Sequence, residues 1–560
     1  MTDFVQQRFQ EWDARARDPF VRDDLERLRA SDDSAALADA FFQELTFGTA
    51  GLRGIIGAGT NRMNVYTVGR ATQGLANYLM ETFPNPSVAI ARDSRHKGEE
   101  FTRHAAAVLA ANGVRVWVYP RVEPTPALSF AVRHLGTSAG ICMTASHNPA
   151  PYNGYKVYGP DGCQIATSVA DAVSAHIERV DAFCDVRTMP FDDAVRQGLV
   201  SWIGEDTLDA YVDAVVASSA DMGAEGPLRV VYTPLCGAGR ECVERVLERI
   251  GVDEVMVVPE QGEPDGAFPT CEYPNPEERA ALERGLALCR QVEPDLLLAT
   301  DPDADRVGVA VRAGDEDVLL SGNEVGALLL DYLARVAAHQ GRDLSQMVAV
   351  TTIVSTTLAD SIAREWGFEV RRVLTGFKYI GGVIAQLEQQ GAPERFLLGF
   401  EESYGYLNGA YVRDKDAVNA CMLICQMARY YKREGLSLAD AMDRLYRRHG
   451  YCRNRTLSFA FPGAEGATRM ASLMEGLRTH APQEMAGLAV VEAVDYRPGA
   501  RGLPPADVVE LVLEGGCKVI FRPSGTEPKV KAYLFATASE ASEADDLCDR
   551  LAAVVGELVA

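Results

Sequence analysis

Three times along this chain the same order recurs: a short apolar run, a helical stretch, a second apolar run, and a later apolar run that ends in a polar loop. In the first round these are Ser87–Ala91, Glu99–Asn112, Val114–Tyr119 and Ala139–Met143. In the second they are Leu228–Tyr232, Glu241–Ile250, Glu254–Val258 and Asp295–Thr300. In the third they are Met347–Thr351, Thr357–Trp366, Glu369–Leu374 and Phe396–Gly399. Short apolar runs bounded by turn formers read as buried strands. Strands alternating with helices predict α/β units with largely parallel sheets. The residues of the three rounds do not align by eye, so the repeat is one of pattern alone. Before the rounds, residues 1–45 read as a helical arm broken at Ser31-Asp32-Asp33-Ser34. After them, helices fill 416–447, and the texture changes. Thr456–Phe461, Leu488–Tyr496, Val508–Leu513, Cys517–Phe521 and Val530–Ala536 read as strands, with helices at 466–479 and 539–558. This predicts a smaller α+β domain.

Length and charge narrow the function. At 560 residues the chain is too long for one hydrophobic core, and about three to five domains are expected. Its formal net charge is −24. Such a chain repels phosphate backbones and anionic lipids, so no nucleic-acid and no membrane partner is expected. An anionic substrate would require cations concentrated locally. The opening residues carry charge early and do not read as a signal peptide. No apolar run approaches the roughly 18 residues of a membrane span. The 12 cysteines are scattered, and Cys142, Cys421 and Cys425 lie in apolar runs. They read as reduced core residues of a cytoplasmic protein. Oligomeric state is not legible.

The polar loops carry the chemistry. Thr144-Ala145-Ser146-His147-Asn148-Pro149 follows the run Ala139–Met143. Asn148-Pro149 ends the strand, so Ser146 sits where reactive side chains gather in open α/β sheets. A hydroxyl nucleophile needs a base or cation, and His147 and Lys156 supply both types. The same residues also suit a turn whose serine caps the backbone. Asp301, Asp303 and Asp305 alternate with Pro302 and Ala304. In an extended segment alternate side chains face one way. Three such carboxylates would repel unless a hard divalent cation joined them, and oxygen-only ligands favour magnesium over zinc. Arg306 could hold a phosphate beside that metal. An Asp-Pro turn with surface charge is the alternative. Arg522-Pro523-Ser524-Gly525-Thr526-Glu527-Pro528-Lys529 gathers cations, hydroxyls and a glycine, which suits a phosphate and also a hairpin turn. Glu401, Glu402 and Ser403 end the third round, and carboxylates with a serine suit sugar hydroxyls. Thr375-Gly376-Phe377-Lys378 and Arg413-Asp414-Lys415 add cations, and Arg53 lies in the glycine-rich stretch Thr46–Gly54.

In this order, and over nearly the whole chain, these motifs resemble those of the α-D-phosphohexomutase superfamily. Thr144–Pro149 resembles its phosphoserine loop, Asp301–Arg306 its metal loop, Gly399–Ser403 its sugar-specificity loop and Arg522–Lys529 its phosphate-binding loop. The resemblance implies an α/β chain of four domains around a central cleft. Three are similar mixed α/β domains, and a smaller C-terminal α+β domain follows. The expected limits are 1–205 for the helical arm and phosphoserine domain, 206–319 for the metal-binding domain, 320–448 for the sugar-specificity domain and 449–560 for the phosphate-binding domain.

The resemblance also implies roles. Ser146 would carry a phosphate, and magnesium would sit on Asp301, Asp303, Asp305 and a phosphoserine oxygen. The phosphate would pass to a sugar monophosphate, and the resulting bisphosphate would turn over in the cleft and return its other phosphate. Lys156 matches a family lysine and is expected to transfer the proton. Arg53 matches a family arginine near the phosphoserine, and His147 is expected to be structural. Substrate would be bound by Thr375, Gly376, Lys378, Glu401, Ser403, Arg413, Lys415, Arg522, Ser524, Gly525 and Thr526. Glu401-Glu402-Ser403 resembles the phosphoglucomutase branch, and the long arm resembles the longer bacterial members related to phosphopentomutases. The activity so implied is interconversion of glucose 1-phosphate and glucose 6-phosphate, with glucose 1,6-bisphosphate as intermediate and activator. Pentose or mannose phosphates as substrates, or synthesis of the bisphosphate from a separate donor, are the alternatives.

Overall fold

One strand order is used three times. The computed structural model describes every residue except Met1, Asp32, Ala50, Ala224, Glu225, Asp253, Asp315, Pro462, Gly525–Pro528 and Ala560. The first sheet runs Leu52–Ile55, Tyr152–Tyr158, Ala139–Met143, Ser87–Arg92, Arg115–Val118, Val200–Trp202. The second runs Glu316–Leu320, Val307–Ala313, Leu296–Thr300, Arg229–Thr233, Glu254–Val257. The third runs Glu369–Val373, Val348–Thr352, Phe396–Glu401, Gly405–Leu407. In each sheet the two strands of the helical crossover pair in parallel. A third strand pairs in parallel with the first of them. The chain then reverses and returns antiparallel beside that third strand. Ser146, Asp301–Asp305 and Glu402–Ser403 all lie on this reversal. The three rounds therefore share one topology, and the chemistry has one address in all of them.

The strands leading into the reversals are wholly buried: Ala139–Met143, Leu296–Thr300 and Phe396–Glu401 show no exposed residue. Burial on both faces is what parallel strands under helices require, and it explains their unbroken apolar runs. One cluster of buried side chains extends from Ala89 to Cys452 and joins all three sheets. Through its middle runs the helix Ala417–Arg433, buried from Ala417 to Tyr431 and capped by Asp416, which accepts from the Asn419 amide. Among the described residues no helix is long and apolar enough to cross a membrane.

The C-terminal sheet is antiparallel throughout, in the order Tyr451–Ala460, Lys529–Ala538, Lys518–Pro523, Val509–Leu513, Leu488–Asp495, Glu484–Met485. Its first strand starts earlier than the apolar run at Thr456. Pairing from Tyr451 opposite Ala538 to Ala460 opposite Lys529 recruits the polar Arg453, Asn454 and Arg455. The sheet has its own core, including Met474, Leu511, Phe521 and Leu551. It meets the third domain where Tyr496, Ile520 and Tyr533 pack on Ile353, Val354 and Leu374. The N-terminal arm is three helices, Thr2–Arg15, Pro19–Ala30 and Ser34–Phe41. The break at Asp18-Pro19 adds to the one expected at Ser31–Ser34: the Asp18 carboxylate accepts from the Val21 amide, and Pro19 suits a first helical turn.

Candidate active site

Ser146 is the third residue past the strand Ala139–Met143, on the first reversal. Its φ is 53°, a left-handed conformation uncommon outside glycine. The side chain is buried, and Oγ donates to Asp301 Oδ2 at 2.9 Å. A hydroxyl has one proton. With that proton on Asp301, the contact between Ser146 Oγ and His147 Nδ1 at 3.1 Å requires the Nδ1–H tautomer as donor. Burial, with Arg306 and Arg53 nearby, pushes the His147 imidazole well below its ordinary pKa, so the ring is neutral. Arg53 projects from the strand Leu52–Ile55 and donates to Asn148 Oδ1 at 3.0 Å, on the serine loop itself.

The metal loop converges differently from the extended segment expected. Residues 302–305 are turn and bend. The Ala304 amide donates to Asp301 O at 2.9 Å, and Ala304 has φ 50°. The turn, not strand alternation, brings the carboxylates together. One ligand oxygen from each of Asp301, Asp303 and Asp305 lies within 4.8 Å of the others, and all three residues are buried. Asp301 Oδ1 accepts from the amides of Asp305 and Arg306 at 3.1 and 3.0 Å. Asp303 Oδ2 accepts from Lys156 Nζ at 2.7 Å and Thr125 Oγ1 at 3.0 Å. Asp305 Oδ2 pairs with Lys415 at 3.1 Å and Lys156 at 3.4 Å. The other oxygens of Asp303 and Asp305 are buried without a hydrogen-bond partner among the described residues. Buried polar atoms are rarely left so. An all-oxygen set with two open acceptors fits a hard divalent cation.

Electrostatics sort these groups. Burial and the charges of Asp303 and Asp305 drive Asp301 well above the usual carboxylate range. Burial also acts on Asp305, but Lys415 and Lys156 outweigh it and hold that carboxyl low. Burial disfavours the Lys156 ammonium, yet Asp303 and Asp305 overcome it and raise its pKa. Lys156 is thus held as the ammonium. Lys415, expected at the substrate, instead bridges Asp305 and Asp414, both at 3.1 Å. Arg306 pairs with Glu277 at 2.6 Å.

The strand entering the third reversal meets Thr375-Gly376 directly, and the expected 375–378 loop is in fact the start of the helix Phe377–Gln389: the Gly376 amide donates to Glu401 Oε1 at 2.8 Å. Burial pushes Glu401 up to about 7 against the pull of Lys415, with Glu402 adding to the rise. Glu402 Oε2 accepts from Thr352 and Ser355 at 3.1 and 3.3 Å. Ser403 is half-buried beside it. Thr375 Oγ1 is buried without a hydrogen-bond partner among the described residues. Lys378 leans on the Tyr379 ring at 5.2 Å and lines a cavity of about 730 Å³ with Cys163 and Gln164 of the first domain.

Arg413 is a correction. It is fully buried, pairs with Glu388 at 2.6 Å and donates to Val412 O at 2.9 Å. Its donors are directed into the fold, so it is not placed to bind substrate. In the C-terminal domain Arg522 stands across the strand pair from Lys531 and acts electrostatically on Glu402. The Ser524 amide donates to Lys529 O at 2.8 Å. Gly525 and Thr526 lie outside the described residues. Glu277, Lys531, Thr125 and Arg95 were not singled out from sequence. Only Arg95 carried a signal, as a charge just past a buried strand.

Three stretches match the descriptions "Phosphoglucomutase/phosphomannomutase, alpha/beta/alpha" domain I at residues 44–183, domain II at 209–314 and domain III at 321–449. The chain is 37% identical to a phosphoglucomutase of Staphylococcus haemolyticus (strain JCSC1435) over 506 residues, 88% of this chain and 90% of that one. It belongs to the α-D-phosphohexomutase superfamily. A phosphoglucomutase of Staphylococcus aureus (strain MRSA252) is 34% identical over 559 residues, 97% of this chain and 98% of the other. Among solved structures, the open form of the Paramecium phosphoglucomutase pp63/parafusin superposes with a TM-score of 0.68 at 17% identity, over 92% of this chain and 95% of that one. This is the phosphohexomutase fold: three α/β domains and an antiparallel C-terminal domain.

Proposed function

We propose that this phosphohexomutase is a phosphoglucomutase that interconverts glucose 1-phosphate and glucose 6-phosphate through Ser146. The observation that carries the reading is the seat of the Ser146 hydroxyl, 2.9 Å from Asp301 in a buried carboxylate triad. Magnesium on Asp301, Asp303, Asp305 and an oxygen of the phosphorylated serine would supply the charge that offsets the transferring phosphoryl group. The sugar hydroxyl attacks phosphorus on Ser146; a new O–P bond forms as the bond to Ser146 Oγ breaks. Lys156, held as an ammonium, gives a proton to the departing Oγ and takes up the one that the sugar hydroxyl loses. His147 keeps Oγ in line, and Arg53 and Arg306 face the phosphoryl oxygens. Glu401 and Ser403 bind sugar hydroxyls, and Thr375, Gly376 and Lys378 line the same side. Glucose 1,6-bisphosphate forms, turns over and returns its other phosphate to Ser146. Added glucose 1,6-bisphosphate activates by phosphorylating any bare Ser146.

Turnover of glucose 1-phosphate, mannose 1-phosphate and ribose 1-phosphate, each with glucose 1,6-bisphosphate present, tests the reading. Glucose 1-phosphate is expected to have the highest kcat/KM. A higher value for mannose or ribose 1-phosphate would move the assignment to that sugar.

The C-terminal domain holds the non-reacting phosphate in this reading, through Arg522, Ser524, Gly525 and Thr526. A group that orients the far end of a substrate contributes to turnover as well as to binding. Arg522→Ala is expected to raise KM and lower kcat, each by on the order of tenfold. Solution scattering should show the chain becoming more compact with glucose 1-phosphate. Unchanged kinetics and unchanged dimensions would reduce 522–529 to an ordinary turn.

A further inference from the structure

Both peptide groups of Ser146 are held from one place, the end of the neighbouring parallel strand Ser87–Arg92. Asp93 and Arg95, just past that strand, pair at 3.2 Å, and neither side chain reaches solvent. Asp93 Oδ2 accepts from Thr144 Oγ1 at 2.6 Å, and Thr144 Oγ1 accepts from the Ser146 amide at 2.8 Å. Arg95 Nη2 donates to the carbonyls of Ser146 and Asn148. Arg95 Nη1 donates to the carbonyls of Pro149 at 2.9 Å and Tyr152 at 3.0 Å. One guanidinium thus gathers four carbonyls of the serine reversal. Only its planar fork offers so many donors, since a lysine has three hydrogens on one nitrogen.

The same pair is fitted to the metal-loop domain. The Arg95 guanidinium lies 5.0 Å from the centre of the Phe268 ring. Gly266 packs so closely that a Cβ there would stand 2.5 Å from the His96 amide nitrogen and 2.7 Å from Ser94 O. Nearby, Thr125 of the first domain binds Asp303 twice: its amide donates to Asp303 O at 2.8 Å and its hydroxyl to Oδ2 at 3.0 Å. The serine reversal and the aspartate loop are therefore set against each other by buried contacts outside the reacting groups.

We propose that Asp93 and Arg95 are positioning residues for phosphoryl transfer. Through Thr144 and the loop carbonyls they hold Ser146 left-handed and aim Oγ at Asp301. Neither touches a reacting atom. This inference rests on Ser146 being the phosphate carrier. A misplaced carrier slows the chemical step and leaves sugar-phosphate binding, which belongs to other domains, nearly intact.

The test is single-turnover transfer of labelled phosphate from Ser146 to glucose 1-phosphate, with steady-state kinetics beside it. Arg95→Lys is expected to slow transfer by about 100-fold and Thr144→Val by about tenfold, the scale of a small misplacement. KM for glucose 1-phosphate should stay within about twofold, the signature of an interaction that acts on the chemical step. Thr144→Ser keeps the bridging hydroxyl and should restore transfer. Should Arg95→Lys not fold, Thr144→Val against Thr144→Ser decides alone. Wild-type transfer rates in the folded variants, or kcat and KM worsening in proportion, would overturn the proposal. If the wild-type chain takes no label on Ser146 from glucose 1,6-bisphosphate, the carrier assignment itself fails.

Discussion

Ser146→Ala is expected to lose turnover by on the order of 10⁴-fold or more and to keep the fold. The hydroxyls of Thr144 and Thr125 are already engaged. Thr144 Oγ1 is held between Asp93 and the Ser146 amide, and Thr125 Oγ1 donates to Asp303. The fold survives because the hydroxyl's one contact within the loop is to the His147 ring, and the loop backbone is held by other groups. The peptide groups of residue 146 are bound by Thr144 and Arg95. Asp301 loses one donor and keeps the amides of Asp305 and Arg306. Alanine meets the same left-handed backbone as serine, so no new strain enters. Paired measurements of melting temperature and mutase rate check this. Residual activity within roughly tenfold of wild type, about 1.4 kcal/mol of barrier, would sink the assignment.

Removing the metal is expected to be nearly as severe. In excess chelator turnover should vanish, and magnesium should restore it. A second readout does not depend on activity. A cation that binds the folded triad stabilises it by about 2.7 kcal/mol at a hundredfold excess over its Kd. Magnesium should therefore raise the melting temperature of the wild-type chain. Asp303→Asn removes one charge from the triad and weakens the pairing of Lys156, which keeps only Asp305 at 3.4 Å. In this variant the magnesium-dependent rise should largely disappear. Full turnover in chelator, or equal stabilisation of Asp303→Asn, would remove the site.

The three reversals were legible because a doubly covered strand must be apolar along its whole length. Its end shows in sequence as an abrupt change to polar residues. The three motifs so found, at 144–149, 301–306 and 399–403, fall within the stretches that match domains I, II and III. What the sequence could not show was conformation set by single residues and partners far along the chain. Ala304 carries no sign that it turns left-handed, so the aspartates read as an extended segment. Arg413 looked like a free loop cation because Glu388, its partner, lies in a different element. Nothing in the sequence signals that Lys415 reaches Asp305. Arg95 was visible as a charge at a strand end, but its four carbonyl partners exist only once the serine loop has folded over it.

The uneven division of the buried core has a consequence for how the molecule comes apart. The first three sheets share one cluster around the helix Ala417–Arg433 and carry further cores beside it, whereas the C-terminal sheet has its own core and meets the rest through Tyr496, Ile520 and Tyr533 and through Cys452 of its first strand. Heat should separate the chain into two cooperative units of unequal size, which calorimetry would record as two transitions. A cavity made at Met422 would cost three domains together. A cavity at Leu511 would melt the C-terminal domain alone and leave the three-sheet core around Met422 folded.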